Sequence, residues 1–559
     1  MDVELKEEYK SGYFGNVKLG LGSSIPSKNQ NEHLENKFPI FDASAMVSAY
    51  GEQDQVTAVA GASNAPSTST ISFMGNHEAP DVFYDAPAYE SSAMTTSWNA
   101  GVNVNSNRIK GFTTDGSIFW SGANQALKTQ SSTITSLEDY NMDTEETVQG
   151  TTNREDLIAK VVMEKEVEQK YYIYFQPHFK FTHLERNYTN NDEVYGDALI
   201  NTSTANNWSK SNSVLGSTDF EFGTMDLGKE GRSLIFQSAT GIGGGSGNST
   251  EYSVINYAKD GTSSIKDLYY DGSVSTLNGS ANLQYVEPLS ERWALSLEGN
   301  VSRSKSTNEK NAFNSYDGAA NDYYSSYSDN LYRTRLLNAM AQYNMEETTI
   351  SGGLSAQWIN SETQSRAYGM DTRTGEGEWL RSVSPYAWIT STIDGYLIKG
   401  SLKSEAHTPS SFQLTPAFNL LNPTRIGLGN IYLNPYFSHN IMVQISKTIP
   451  KKNITFAAVT THEISRNSIV NASWFDSNGV LYYIPVNTKG LSRNHYFNYM
   501  FNAPLSKDKR LRFYLKGDIT QQVNNSYQSE GTLAGIDTDN FDYTDFMKTF
   551  WGDKTGNVF

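Results

Sequence analysis

The chain holds 559 residues, with 61 Asp and Glu against 44 Lys and Arg, a formal net charge of −17 and no Cys. That acidity argues against a nucleic-acid partner, and the lack of Cys excludes disulfides, thiol catalysis and thiolate metal sites. Hydrophobic residues make up 37%, and no run of about 18 apolar residues is present, which excludes a membrane-spanning helix. A membrane-spanning β-strand is not excluded. It needs only about 9–11 residues of alternating character, so such a chain reads as hydrophilic overall. The 34 Tyr, 26 Phe and 9 Trp suit strands whose aromatic side chains meet lipid headgroups.

Met1 to Lys6 is charged and leads directly toward a strand, with no secretory leader. The chain is therefore expected to be a mature form or a fragment. Gly12 to Gly20 opens the first strand, and a polar loop runs on through Asn36. Asp42 to Tyr50 and Gln55 to Ala62 flank a short turn, Gly51 to Asp54. A long loop, rich in Ser, Pro and acid, is predicted from Asn64 to Ala93. Trp98, Ala100, Val102 and Val104 then alternate with Asn99, Gly101, Asn103 and Asn105, the two-residue period of a half-buried strand. Ile118 to Trp120 returns after a turn at Thr113 to Gly116. An acidic loop is predicted from Glu138 to Gln149. Leu157 to Met163 pairs with Tyr171 to His183, where Tyr171, Ile173, Phe175, Phe179 and Phe181 share a face. Asn187 to Asn212 is polar and reads as loop, and the register around Phe220 to Ala239 is weak.

The second half is cleaner. Trp293, Leu295, Leu297 and Val301 share a face after the turn Glu287 to Glu291. A loop is predicted from Lys305 to Asn330. Turns follow at Met345 to Glu347 and at Asp394-Gly395, a strong hairpin signal. Ile441, Val443 and Ile445 lead to Pro450-Lys451-Lys452, and Ile454, Phe456 and Ala458 return. The clearest hairpin spans Arg493 to Thr520. His495, Phe497, Tyr499, Phe501 and Ala503 lie on one side of its first arm. Leu511, Phe513, Leu515, Gly517 and Ile519 lie on one side of its second, across the turn Pro504 to Asp508.

Short charged turns thus alternate with long polar loops. Soluble sandwiches seldom carry structureless loops beyond about 12–15 residues, whereas outer-membrane barrels have short turns at one end and long loops at the other. A propeller would show a repeat of about 40–50 residues, and none is visible. The pattern predicts an all-β fold: a large antiparallel transmembrane β-barrel of outer-membrane type, residues 1–559 forming one barrel domain of roughly 17 to 20 strands. A soluble secreted β-protein is the alternative.

The segment His407 to Asn440 is more specific. It carries Thr408-Pro409-Ser410-Ser411-Phe412, Leu421-Asn422-Pro423, Gly429-Asn430 and Leu433-Asn434-Pro435-Tyr436-Phe437-Ser438-His439-Asn440 before a strand. With Gly12-Tyr13-Phe14-Gly15-Asn16-Val17 as a first barrel strand, this resembles the TonB-dependent receptors of Bacteroidetes-type Gram-negative bacteria. The resemblance implies a cell outer-membrane location and import of a large nutrient such as a siderophore, glycan or peptide. It implies as partners the outer-membrane lipid, a TonB complex acting through a plug domain, and a surface lipoprotein. The family's barrels have ~22 strands. Neither plug nor signal peptide is seen, and Asp537 to Gly556 alternates weakly. The barrel is therefore expected to be incomplete, with a C-terminal truncation near Phe559. A passive pore or a surface adhesin is the other function such a barrel would serve. Physically, Gly429-Asn430 is expected to supply a turn with φ > 0, and Pro435 to hold Asn434 extended.

Reactive constellations are lacking. His33, His77, His178, His183, His407, His439, His462 and His495 show no metal-ligand spacing, and His178 and His183 are predicted on opposite faces of one strand. No catalytic, cofactor or metal residue is assigned, and no enzyme activity is expected. Gly241 to Gly247 misses the phosphate-loop pattern and reads as a flexible turn or a smooth strand. Glu138, Asp139, Asp143, Glu145 and Glu146 fit no EF-hand spacing. Tyr316, Tyr323, Tyr324 and Tyr327 are left between a role at the outer mouth and loop filling. The substrate-binding residues cannot be named from this pattern.

Overall fold

The computed structural model describes residues 11–22, 40–64, 94–136, 141–168, 170–367, 370–374, 377, 379–419, 424–507, 510–529, 533–536 and 541–551. The loops expected up to Asn36 and from Asn64 to Ala93 fall almost wholly outside these residues. So do Met1 to Lys6, His33, His77, Glu138, Asp139, Leu421 to Pro423 and Asp553 to Phe559.

The first strands are β1 (Gly12–Gly22), β2 (Ile40–Tyr50), β3 (Asp54–Ser63), β4 (Met94–Ser106), β5 (Thr113–Ser136), β6 (Asn141–Val167), β7 (Tyr171–Tyr195) and β8 (Leu199–Thr224). Next come β9 (Ser233–Tyr257), β10 (Ser263–Pro288), β11 (Trp293–Asn314), β12 (Ser326–Met345), β13 (Thr348–Ala367), β14 (Met370–Thr374), β15 (Leu380–Ile393) and β16 (Tyr396–His407). After α1 (Ser411–Leu414), β17 (Phe418–Asn419) and β18 (Arg425–Leu428) follow β19 (Tyr436–Ile449), β20 (Ile454–Arg466), β21 (Ile469–Phe475) and β22 (Leu481–Asn487). The chain closes with β23 (Leu491–Pro504), β24 (Arg512–Val523), β25 (Tyr527–Gln528) and α2 (Tyr543–Trp551).

Twenty strands form one antiparallel sheet, and apart from β14 each pairs with the next sheet strand in chain order, β13 with β15. β14 is a short flap on the upper end of β13. β1 pairs only with β2 and β24 only with β23, so the described sheet has two open edges.

Side-chain alternation is continuous across the ladders. The row Ile445–Ala458–Tyr499–Gly517 runs through four strands on one face, as does Tyr285–Leu297–Ala339–Leu354 across β10 to β13. The five residues that decide which way this face points are Trp293, Leu295, Leu297, Phe513 and Leu515. They are 47%, 36%, 43%, 43% and 44% exposed. The opposite face carries Ser296, Ser351, Asn103 and Asp156, all buried. The apolar face is thus outward and the polar face lines the lumen. Each exposed aliphatic forfeits about 25 cal/mol per Å² of uncovered apolar area in water, and lipid is the solvent that removes this cost. Aromatic pairs lie near the short-turn end of the outer face, among them Trp293–Tyr343, Phe220–Phe236, Tyr171–Phe222 and Phe501–Phe513.

The short turns sit at one end. Asp394 and Gly395 both have positive φ, 50° and 74°, as a two-residue turn matching strand twist requires. A single 3-10 turn, Pro450–Lys452, joins β19 to β20, with Asn453 left-handed behind it. At the other end several sequence expectations fail. Asn187 to Asn212 is not loop: β7 and β8 run through it and turn only at Gly196 to Ala198. Asn141 to Gln149 of the predicted acidic loop is the start of β6, and β11 and β12 occupy most of Lys305 to Asn330. The physical reason is height. A membrane crossing takes about 9–11 residues, and these strands have 20 to 27. Their upper halves stand in water on both faces, so no apolar period marks them. Gly241 to Gly247 lies within β9, a smooth strand rather than a turn.

Leu297→Arg places a charge within the outward belt and is expected to cost about 2–4 kcal/mol. The lumen change Asn300→Ser is expected to stay within about 0.5 kcal/mol. Denaturant unfolding of the chain in lipid vesicles measures both.

Candidate functional site

Three upper connections, β16 to β19, β20 to β23 and the segment after β24, fold together into a cap. Its sheet runs β17-β18-β22-β21-β25. β21 and β22 form a hairpin, whereas β18 joins β22 in parallel, pairing Arg425 with Leu481. A dry core fixes it: Ile426, Leu428, Trp474, Val480, Tyr482, Ile484 and Val486 from the sheet, Tyr543 and Met547 from α2. Trp474 stacks on Tyr482 with ring centres 5.5 Å apart. The Tyr543 to Trp551 stretch of the weakly alternating tail is a helix, and Tyr543 and Met547 meet the cap because residues four apart share a helix face.

The motif around Gly429 and Asn430 belongs to this cap. Gly429 does not have positive φ, contrary to expectation. A Cβ there would meet the Thr415 carbonyl oxygen at 1.9 Å, so glycine is required by close approach of two backbones. Asn430 is fully buried. Its amide donates to the Pro485 carbonyl at 2.8 Å, and its side-chain oxygen accepts from Tyr432 N at 2.9 Å. The Tyr543 hydroxyl accepts from Ile431 N and donates to the Gly429 carbonyl. Asn434 and Asn487 exchange two further bonds. The motif holds these loops together and, through Pro435, leads directly into β19, as expected.

The cap is latched to the tall wall formed by β6 to β10. Thr424 Oγ1 donates to Asp192 Oδ2 at 2.6 Å, and Asn201 donates to the Asn478 carbonyl. Met142, Val194 and Phe475 form a small apolar seam, flanked by Ile200 and Leu481. The seam depends on the turn Asp476 to Gly479. Asp476 Oδ1 accepts from the backbone N–H groups of Asn478 and Val480 at 2.9 and 2.8 Å. Gly479 has φ 75°, and a Cβ on it would lie 2.8 Å from Val194 and 3.0 Å from Asn201. Burial pushes the Asp476 carboxyl above its ordinary value against those hydrogen bonds, and pushes the Tyr482 and Tyr543 hydroxyls up as well.

Between wall and cap lies a cavity of about 920 Å³. Successive lumen rows of the wall line it: Arg186–Ser209–Ser249–Tyr270, and Ser211–Gly247–Gly272–Lys310. Phe418 and Arg425 close it from the cap. Glu251 anchors one side, accepting from the Tyr270 hydroxyl at 2.9 Å and from Lys310 Nζ at 3.3 Å. Lys310 also lies 3.4 Å above the Tyr270 ring. Lower in the lumen, buried Asp156 is held by Arg154 at 2.8 Å and Thr182 at 2.5 Å. The cavity thus offers hydroxyls, amides, paired charges and aromatic faces, which suits a polar solute.

The residues singled out in the sequence fall elsewhere. His178 and His183 lie on opposite faces, as predicted, with His183 bonded to Asn212. His407 bonds Ser438, and His439 bonds Ser404. His462 and His495 do meet, Nδ1 to Nδ1 at 2.6 Å, a cross-strand contact that sequence spacing could not show. No group of three or more metal-ligating side chains occurs among the described residues. Glu146 lies on the lumen face and Asp143 and Glu145 on the other, so these three described acids of the run do not converge. Tyr323 and Tyr324 brace the cap: the Tyr323 hydroxyl accepts from Phe541 N at 2.8 Å, and Tyr324 packs on the cap core. Tyr316 is exposed. Tyr188 and Lys210, which line the cavity, were hidden inside the expected loop, and Arg186 stands just before it. The lack of Gly and Pro from Asn187 to Tyr195 was the available sign of strand.

Comparison with known proteins agrees with this architecture. The model of the outer membrane protein beta-barrel family matches residues 225–557. No curated protein matches the chain. Among solved structures, BauA, the ferric preacinetobactin receptor from Acinetobacter baumannii, is 9% identical. The match covers 91% of this chain and 79% of that one, with a TM-score of 0.34. The ferric citrate transporter FecA in its unliganded form is 8% identical over 92% and 79% of the two chains, with a TM-score of 0.28.

Gly479→Ala is expected to lift the cap from the wall at a cost of about 1–3 kcal/mol. Faster limited proteolysis in the β20–β23 connection is the readout. Because the Asp476 carboxyl is raised in the docked state, docking favours its protonated form. Docking should strengthen as pH falls through that raised carboxylate range and weaken as pH rises through it. Asp476→Asn should flatten this dependence, followed by the same proteolysis across pH. The family match covers more than half the chain and coincides with the outward apolar wall, so the protein belongs to the outer membrane protein beta-barrel family and resides in the outer membrane.

Proposed function

We propose that the chain forms the wall and outer cap of a TonB-dependent receptor that takes up a large polar nutrient. The observation that carries this is the roofed cavity. Its lining projects from the tall wall and from the cap, with Arg186, Tyr188, Tyr270 and Lys310 on one side and Phe418 and Arg425 on the other. A ligand held there touches both bodies at once. Its binding energy can therefore favour one cap position over another, as capture before transport requires. A simple pore has no use for a folded lid with its own hydrophobic core.

In this mechanism the solute enters from outside and displaces cavity water. It stacks on tyrosine faces and hydrogen-bonds to the Ser and Asn rows. Movement inward is gated by a plug domain within the lumen, on which the inner-membrane TonB complex pulls. The glycine positions Gly245, Gly247 and Gly272 leave the wall beneath the solute free of side chains, so bulk can slide along backbone.

The test is nutrient-dependent growth of cells relying on this protein, with siderophores, glycans and peptides offered in turn. Uptake of one class is expected to be lost when TonB is deleted. Tyr188→Ala combined with Arg186→Ala should lower that uptake about tenfold, by removing stacking and a charged hydrogen bond. Uptake that persists without TonB, with steady conductance in planar bilayers, would establish a passive pore instead.

A further inference from the structure

The outward face of β19, β20, β23 and β24 departs from the chain's overall acidity. On β19 it presents Phe437, His439, Ile441, Val443, Ile445, Lys447 and Ile449, and on β20 Ile454, Phe456, Ala458, Thr460, His462, Ile464 and Arg466. On β23 it presents Leu491, Arg493, His495, Phe497, Tyr499, Phe501 and Ala503, and on β24 Phe513, Leu515, Gly517, Ile519, Gln521 and Val523. No Asp or Glu is among them, although the chain holds 61 such residues.

Two arginines and three histidines gather at one height. Arg466 pairs with Leu491, Arg493 with Ile464, and His462 with His495, while His439 sits beside Ile464. Directly opposed residues have Cβ atoms about 4.5–5.5 Å apart and diagonal ones about 7–8 Å, so these five groups share one patch. Strands tilted as in barrels climb about 2.5 Å per residue. From Ile454 that places His462 about 20 Å up and Arg466 about 30 Å up, across the top of an apolar band about 25 Å tall. Arg466 and Arg493 are exposed and have no ion-pair partner among the described residues. Elsewhere on the outer face Lys305 is paired with Asp329 at 3.0 Å and Arg333 with Glu362 at 3.4 Å, beside Arg303 and Arg335, which are exposed.

We infer that this patch binds a phosphate-bearing headgroup of an outer-leaflet lipid whose acyl chains lie on the band below. Arginine forks match phosphate oxygens in pairs. Val443, Phe497 and Ile519 form the next row down, where the acyl chains begin. One amphiphile thus satisfies both halves of the surface. The site depends on the outer-membrane location and not on which solute is carried.

The test uses the whole protein in neutral detergent, with native mass spectrometry and thermal unfolding as readouts. The probes are a multiply acylated disaccharide lipid with a phosphate on each sugar, its dephosphorylated form, and inorganic phosphate. Retention and stabilisation by the phosphorylated lipid alone are expected, weakened about tenfold or more in R466A/R493A and unchanged in K305A on the far side of the wall. Equal binding of both lipids would overturn the site. So would full binding by R466A/R493A, or displacement of the lipid by equimolar inorganic phosphate. Should the double variant fail to fold, the comparison of the two lipids on the unaltered protein decides.

Discussion

The structure rests on one constraint: every backbone N–H and C=O in the lipid layer must find its partner on a neighbouring strand, because hydrocarbon offers none. An antiparallel ladder of consecutive hairpins meets that demand, and its pleat then sorts side chains into two solvents. Lipid receives Leu297, Phe501 and Leu515, and the lumen receives Ser296, Asn498 and Lys516. Mean hydropathy stays at −0.53 because half of the wall faces water.

Above the membrane this division lapses, and a different economy takes over. β5 to β12 continue upward with polar side chains on both faces, giving a rigid upright wall. Such a wall would enclose nothing by itself. The cap supplies the missing side, and it is stable for the reason any small domain is stable, burial of aromatic and aliphatic side chains around Trp474, Tyr482 and Ile484. The latches between cap and wall are few and polar, apart from the seam at Met142, Val194 and Phe475. Few contacts mean a small free-energy difference between docked and lifted positions, within reach of a ligand bound between them.

The outer surface carries its own information. A barrel wall in lipid is usually described by its hydrophobicity alone, yet the basic rows at Arg466, Arg493 and the His462–His495 pair stand where hydrocarbon gives way to headgroups. Unpaired guanidinium groups there cost little beside water and gain much beside phosphate.

What the amino-acid order determined by itself was the wall. The two-residue period of Trp98 to Asn105 and of His495 to Thr520, and turns such as Asp394-Gly395, are local properties that needed no knowledge of distant residues. The tops of β6 to β8 were illegible because side chains wet on both faces leave no period to read. The cap, the cavity and the histidine pair were decided only by tertiary structure. Thr424 reaches Asp192 across 232 residues, and Asn201 reaches Asn478 across 277. Contacts at such separations leave no trace in spacing, since it is the side-by-side pairing of the tall strands and the burial of the cap's aromatic core that bring them together.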